Sequence, residues 1–302
     1  METFVKSIMI NGKQARYYDL STLTQNAGEN TKPAAHFYGG NGFAVGTYEP
    51  LLKALAHELN LSALALQGYW YDTPTDKIMT REQDADMLVE FLEQTQKEPV
   101  VGIGHSQGAS ATAMAAAKRP DLFSQLYLID PVTFTKAQSL LYGNTPRRIL
   151  MTQEPFKSTA KKQAEWVSID DYYQFLRQHR AFRRISDEHL YTFASNSLVK
   201  RDDGSYTLLF KPKYELASYF GTPYITKALK KLNKINLPYT LMLAKPSVFN
   251  SNKVRSSWQG VVPDNRIVTL SDYGHLVPME APEKCADIIL DSNRSFNSKI
   301  AS

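Results

Sequence analysis

Pro99-Val-Val-Gly-Ile-Gly-His-Ser-Gln-Gly-Ala109 is the stretch on which the rest of the chain turns. A short apolar run leads into Gly104-His105-Ser106-Gln107-Gly108, and the alanine-rich stretch behind it predicts a helix to about Arg119, stopped by Pro120. The pattern is a strand, a sharp turn and a helix, with a serine at the apex. A turn that lifts a hydroxyl clear of a sheet is tight and strained, so small residues must flank it. The helix that starts there brings free N–H groups and a positive dipole end, which suit an oxyanion.

Upstream, 4–10 and 13–19 read as two strands around the hairpin signal Asn11-Gly12, followed by a polar loop over 21–32. A buried strand, 34–38, ends in Gly39-Gly-Asn-Gly42, a cluster that admits close backbone approach. A helix over 47–59 carries Leu51, Leu52, Leu55 and Leu59 on one face, and a strand over 62–66 runs into an aromatic loop at 67–74. A second helix, 80–96, opens at Thr80 with Glu82, Asp84 and Asp86 near its start, where anions are favoured. Beyond the serine, a strand over 125–129 ends at Asp130-Pro131. Strand and helix alternate, which predicts an α/β protein with a mainly parallel sheet covered by helices on both faces. Right-handed crossovers would gather 39–42, 69–74, Ser106 and Asp130 on one edge of that sheet.

The alternation breaks from 132 to 237. Helical stretches at 158–177, 182–196 and 222–234 enclose an irregular or hairpin-like piece at 201–219. We read this segment as an inserted, mainly helical cap whose aromatics, Trp166, Tyr172 and Phe193 among them, mostly fill its own core. Strands over 239–244 and 266–270, a loop over 271–280 and a helix over 282–290 then resume the first pattern. The expected organisation is a core in two parts, 1–131 and 238–302, around a cap at 132–237.

Composition excludes more than it assigns. With 43% hydrophobic residues and 35 basic against 30 acidic side chains, the net charge of +5 is too mild and dispersed for a nucleic-acid partner. Cys285 is the only cysteine, so no intrachain disulfide or cysteine metal site is available, and no metal or cofactor is called for. The N-terminus lacks a signal-peptide pattern and no apolar run approaches a membrane span, so a soluble cytoplasmic protein is expected. The basic runs at 177–184 and 227–234 are either solvated helix faces or a patch recruiting an anionic substrate or a membrane surface. Oligomeric state is not readable from the sequence.

Over nearly its whole length the chain resembles the α/β-hydrolase superfamily. The resemblance rests on His36-Phe-Tyr-Gly-Gly-Asn-Gly-Phe43, on Gly104 to Gly108, and on Gly274-His275-Leu-Val-Pro-Met-Glu-Ala-Pro282, in the right order and context. It implies the α/β-hydrolase fold, with Ser106 as nucleophile and His275 as its base. It also implies an oxyanion hole from the N–H groups of Gln107 and Asn41, the latter in a register open by one residue, because Gly39-Gly40 stands where the family has His-Gly. His105 would point away from Ser106 and pack beneath the turn; His36, His57, His179 and His189 read as structural or exposed. The loop Lys245-Pro-Ser-Val-Phe-Asn-Ser-Asn252, where most members keep the triad acid, contains no carboxylate. Asp130 is the substitute, in the order Ser106, Asp130, His275; its other use is as a turn residue before Pro131, and Asp272 is less suited to inward pairing. The activity implied is a serine hydrolase acting on a small or medium apolar carboxylic ester through an acyl-enzyme. Carbon–carbon bond hydrolysis by the same constellation, and a ligand-binding protein that has lost catalysis, are the alternatives.

Overall fold

The computed structural model describes residues 1–24, 32–72, 78–247 and 249–300. Most of the loop expected over 21–32, the end of the aromatic loop (Thr73 and Pro74) and Val248 lie outside these residues. The strands are β1 (Val5–Ile10), β2 (Lys13–Asp19), β3 (Ala34–Tyr38), β4 (Asn60–Leu64), β5 (Val100–His105), β6 (Phe123–Ile129), β7 (Glu165–Trp166), β8 (Leu198–Lys200), β9 (Tyr206–Leu208), β10 (Tyr239–Lys245) and β11 (Ile267–Ser271). Eight of them form one sheet in the order β1-β2-β4-β3-β5-β6-β10-β11. β1 and β2 pair antiparallel across Asn11-Gly12, both at positive φ, as a two-residue hairpin turn demands. β2 is also antiparallel to β4, and from β4 to β11 every pairing is parallel.

Chain order reverses between β3 and β5. The crossover from β3 to β4 runs one way along the sheet and that from β5 to β6 the other, so right-handed connections put their helices on opposite faces. Helix Glu49–Ala56 accordingly packs with the last helix, Pro282–Ile300. On the other face, helix Gln107–Lys118 lies between Arg81–Thr95 and Thr226–Lys234. Residues 107–113 and 115–117 are all buried, which explains the alanines: only small side chains let helices on two sides and the sheet beneath approach this closely. The reversal leaves a crevice beyond the carboxyl ends of β3 and β5, where ligands bind in open α/β sheets.

Between β6 and β10 the chain is more broken than the sequence predicts. The helix expected over 158–177 is two, Phe156–Ala160 and Ile169–Gln178, with β7 between them. Trp166 leaves helical geometry to pair with Tyr206, and Ser168 caps the restart through the Asp171 N–H. The piece at 201–219 holds β9, which pairs back on β8 just before it, and a helix, Pro212–Tyr219, opened by its proline. A helix at Lys136–Gly143 goes unread in the sequence although Thr135 and Gln138 form a capping box there. Trp166, Tyr172 and Phe193 are buried, whereas Phe175 and Tyr191 are about half exposed. No helix among the described residues is long and apolar enough to cross a membrane.

Candidate active site

Three strand ends supply the centre of the site. β5 runs straight into Ser106, whose φ of 56° and ψ of −118° lie where residues bearing a Cβ are rarely found. The strained turn is held because the Ser106 N–H donates to the Ile129 carbonyl on the neighbouring strand, at 3.0 Å. The flanking glycines are required by contact: a Cβ on Gly104 would lie 2.6 Å from Ala109 Cα, and one on Gly108 would lie 2.0 Å from the Tyr38 carbonyl oxygen.

Asp130 follows β6 and His275 follows β11. His275 Nε2 lies 2.9 Å from Ser106 Oγ, and its Nδ1 lies 2.7 Å from Asp130 Oδ2. The Asp130 carboxylate is fully buried, and it accepts further hydrogen bonds from the Ala244 N–H (3.0 Å), Ser247 Oγ (2.6 Å) and Asn250 Nδ2 (2.6 Å). Burial alone would raise its pKa, but the hydrogen bond and charge of His275, with the bonds from Ser247 and Asn250, override it and hold the carboxyl below the ordinary range. Ser247 and Asn250 belong to the loop after β10, where a carboxylate is missing. That loop supplies donors to an acid carried one strand away.

His105 ties these parts together. Tyr48 Oη accepts from the Gly40 N–H at 2.8 Å and lies 2.8 Å from His105 Nδ1, while His105 Nε2 lies 2.8 Å from the His275 carbonyl oxygen. The only assignment that satisfies all three bonds has Tyr48 donating to Nδ1 and Nε2–H donating to His275. Burial keeps His105 neutral, with its pKa pushed down to about 3. The Gly40 N–H is therefore spent on Tyr48, whereas among the described residues no group accepts from the N–H of Asn41 or Gln107. Tyr48 has no signal of its own in the sequence; only the sheet topology brings it under the serine turn.

Ser106, Gln107, Asn41 and His275 open onto one cavity of about 670 Å³, whose walls include Phe43, Val132, Phe134, Leu141, Phe249 and Arg81. Behind Gln107, its Nε2 donates to Asp84 Oδ2 at 2.6 Å. Asp84 is buried, and burial lifts its pKa to about 6 against the opposing pull of Arg81 and Gln107. From the segment 132–237, Glu215 reaches the same cavity, its carboxylate held by Lys162 at 2.8 Å and by the Tyr219 hydroxyl at 2.9 Å. A second cavity of about 680 Å³ meets the first at Phe43 and His275, and Arg180, Arg183 and Arg184 line it with exposed side chains. The basic run at 227–234 instead turns Lys227, Lys230, Lys231 and Lys234 outward from a helix whose Leu229 and Leu232 are buried.

Comparison with known proteins agrees with this architecture. Residues 35–288 match the family model described as the alpha/beta hydrolase family. The uncharacterized hydrolase YugF of Bacillus subtilis is 23% identical over 268 residues, which cover 88% of this chain and 91% of that protein. Among solved structures, E-2-(acetamidomethylene)succinate hydrolase superposes with a TM-score of 0.74 at 18% identity, covering 95% of this chain and 97% of the other. The thioesterase domain from the curacin biosynthetic pathway superposes at 0.71 and 17% identity, covering 95% and 98%. An eight-stranded, mostly parallel sheet with a serine turn after β5, matched by the family model over most of its length, places this chain in the alpha/beta hydrolase family.

Proposed function

We propose that the protein is a serine hydrolase that cleaves a carboxylic ester with a small or medium acyl part through an acyl-enzyme. The observation that carries this is the unbroken line Asp130–His275–Ser106, at 2.7 and 2.9 Å, ending in a strained serine that faces the cavity. A serine hydroxyl is a weak nucleophile until a base takes its proton. His275 Nε2 receives that proton as Ser106 Oγ attacks the carbonyl carbon, and Asp130 keeps Nδ1 protonated and stabilises the imidazolium. The N–H groups of Gln107 and Asn41 hold the oxyanion, each such donor being worth about 100-fold or more in rate. His275 then returns the proton to the leaving oxygen, and water, activated by the same imidazole, releases the acid. Segment 132–237 acts as the cap, lending Phe134, Leu141 and Tyr142 to the cavity wall so that the reaction runs away from bulk water. The four donors on Asp130 favour hydrolysis over a binding-only role, because a buried carboxylate so prepared is a cost that binding an apolar ligand does not need.

A fluorophosphonate probe tests this directly. Wild-type protein is expected to be labelled at Ser106, as read by peptide mass spectrometry, with labelling lost in Ser106→Ala; folded wild-type protein that resists the reagent would overturn the proposal.

A further inference from the structure

Arg81 stands where local physics argues against an arginine. It is the first residue of helix Arg81–Thr95, where the aligned peptide dipoles oppose a cation. It is also buried, at 4% exposure, where an unsatisfied charge is costly. Its Nη1 donates to the Ser218 carbonyl, but its Nε has no hydrogen-bond partner among the described residues. Asp84, one turn along the helix, helps offset the burial of the guanidinium, yet gives its Oδ2 to Gln107. The acids that do line the cavity are no partners either: Glu215 is taken by Lys162 and Tyr219, and Glu154 is exposed. Nε is also closed off from the cavity, so with Nη1 engaged Nη2 is the nitrogen left to offer a charge-assisted hydrogen bond to an anion such as a carboxylate. Arg81 lines the same cavity as Ser106, Gln107 and His275.

We propose that Arg81 anchors a carboxylate borne by the acyl part of the substrate, so that the ester presented to Ser106 is the half-ester of a dicarboxylic acid. This rests on the hydrolase proposal above and narrows its substrate class. A buried guanidinium with one donor left over accounts for the position of Arg81 on the wall of the cavity that Ser106 also lines. The walls would receive the methylene chain, and Arg81 would fix its far end, holding the scissile carbonyl at the serine.

The test compares mono-p-nitrophenyl esters of succinate, glutarate and adipate with their methyl-capped neutral diesters, in wild type, Arg81→Gln and Arg81→Lys. Wild type is expected to favour at least one half-ester by about 10- to 100-fold in kcat/KM, the range for a charged hydrogen-bonded pair. Arg81→Gln is expected to remove that preference and Arg81→Lys, which keeps the charge on a shorter side chain, to retain part of it. Should Arg81→Gln not fold, a several-fold loss of preference in Arg81→Lys carries the test. A second arm measures binding of glutarate to Ser106→Ala by calorimetry, with diethyl glutarate as the neutral control. Turnover of neutral diesters with no half-ester preference overturns the role of Arg81 and leaves the hydrolase proposal standing. Glutarate binding that depends on Arg81, without turnover of any ester, keeps the carboxylate anchor and overturns the hydrolase proposal. Neither binding nor turnover overturns both.

Discussion

Two buried aspartates flank the serine turn, and they have been prepared in opposite ways. Asp130, on the His275 side, accepts from His275, Ser247, Asn250 and the Ala244 N–H and is held ionised. Asp84, on the Gln107 side, accepts from Gln107 and is lifted to about 6. Both are nearly inaccessible to water. Burial pushes both carboxyls up; at Asp130 the hydrogen bond and charge of His275 and the bonds from Ser247 and Asn250 outweigh it, and at Asp84 the charge of Arg81 and the Gln107 bond do not. The side that faces His275 is stocked with donors, while the side that faces Gln107 is left short of them.

The largest effect expected from breaking this contrast is in Asp130→Asn. The amide can no longer hold the Nδ1 proton and stabilise an imidazolium, so kcat should fall about 10,000-fold with little change in the folded structure. Steady-state hydrolysis of p-nitrophenyl esters measures it, and unchanged turnover would remove Asp130 from the mechanism.

A smaller effect is expected at Asp84. Its folded pKa of about 6 lies above the ordinary 3.8, so the folded chain holds this proton longer than the unfolded chain does. Stability on this account is highest below about pH 4 and declines by about 2 to 3 kcal/mol as pH rises to about 6. Urea unfolding across that window should show the decline in wild type and a flatter profile in Asp84→Asn. Identical slopes would mean that Asp84 is not the odd member of the pair.

The smallest effect is expected in Ser247→Ala, which removes one of the donors from Asp130. About 1.5 kcal/mol of unfolding free energy should be lost at pH 7, the usual worth of a hydrogen bond to a charged group. The folded pKa of Asp130 is depressed, so the stability it contributes is present above the ordinary carboxylate value and is lost as pH falls through the folded one. The gap between wild type and Ser247→Ala should therefore narrow on acidification. A gap that persists at low pH would show that Ser247 acts through packing instead.

The same contrast divides what the sequence could disclose. As candidates, Ser106 and His275 were legible because each sits in a local pattern, a glycine-framed turn and a Gly-His loop, that carries the resemblance without knowledge of which strands are neighbours. Asp130 came as a candidate from the same resemblance, as the substitute for an acid that the loop after β10 lacks. Its donors could not be reached that way: Ser247 and Asn250 meet Asp130 only because β6 and β10 are adjacent across more than a hundred residues of chain. Arg81 was hidden for a related reason. A basic residue at the start of a polar helix reads as solvated, and only the return of the chain at Ser218 and Gly221 covers it; a Cβ on Gly221 would lie 2.9 Å from its Nη1. The alternating strands and helices of the core were readable from their periods, whereas between β6 and β10 short elements are set by caps and by one cross-strand tryptophan.

One contact described above also acts as a gauge. Gly108 brings the main chain of the helix after Ser106 against the carbonyl of Tyr38, so the spacing between the loop after β3 and the helix after β5 is fixed by backbone touching backbone. Main chains in contact have no rotamers to sample. The gap between the N–H groups of Asn41 and Gln107 is thereby insulated from changes in the side chains around it, so on the mechanism proposed above the cavity wall is free to diversify toward new acyl groups without recalibrating the place where charge would develop.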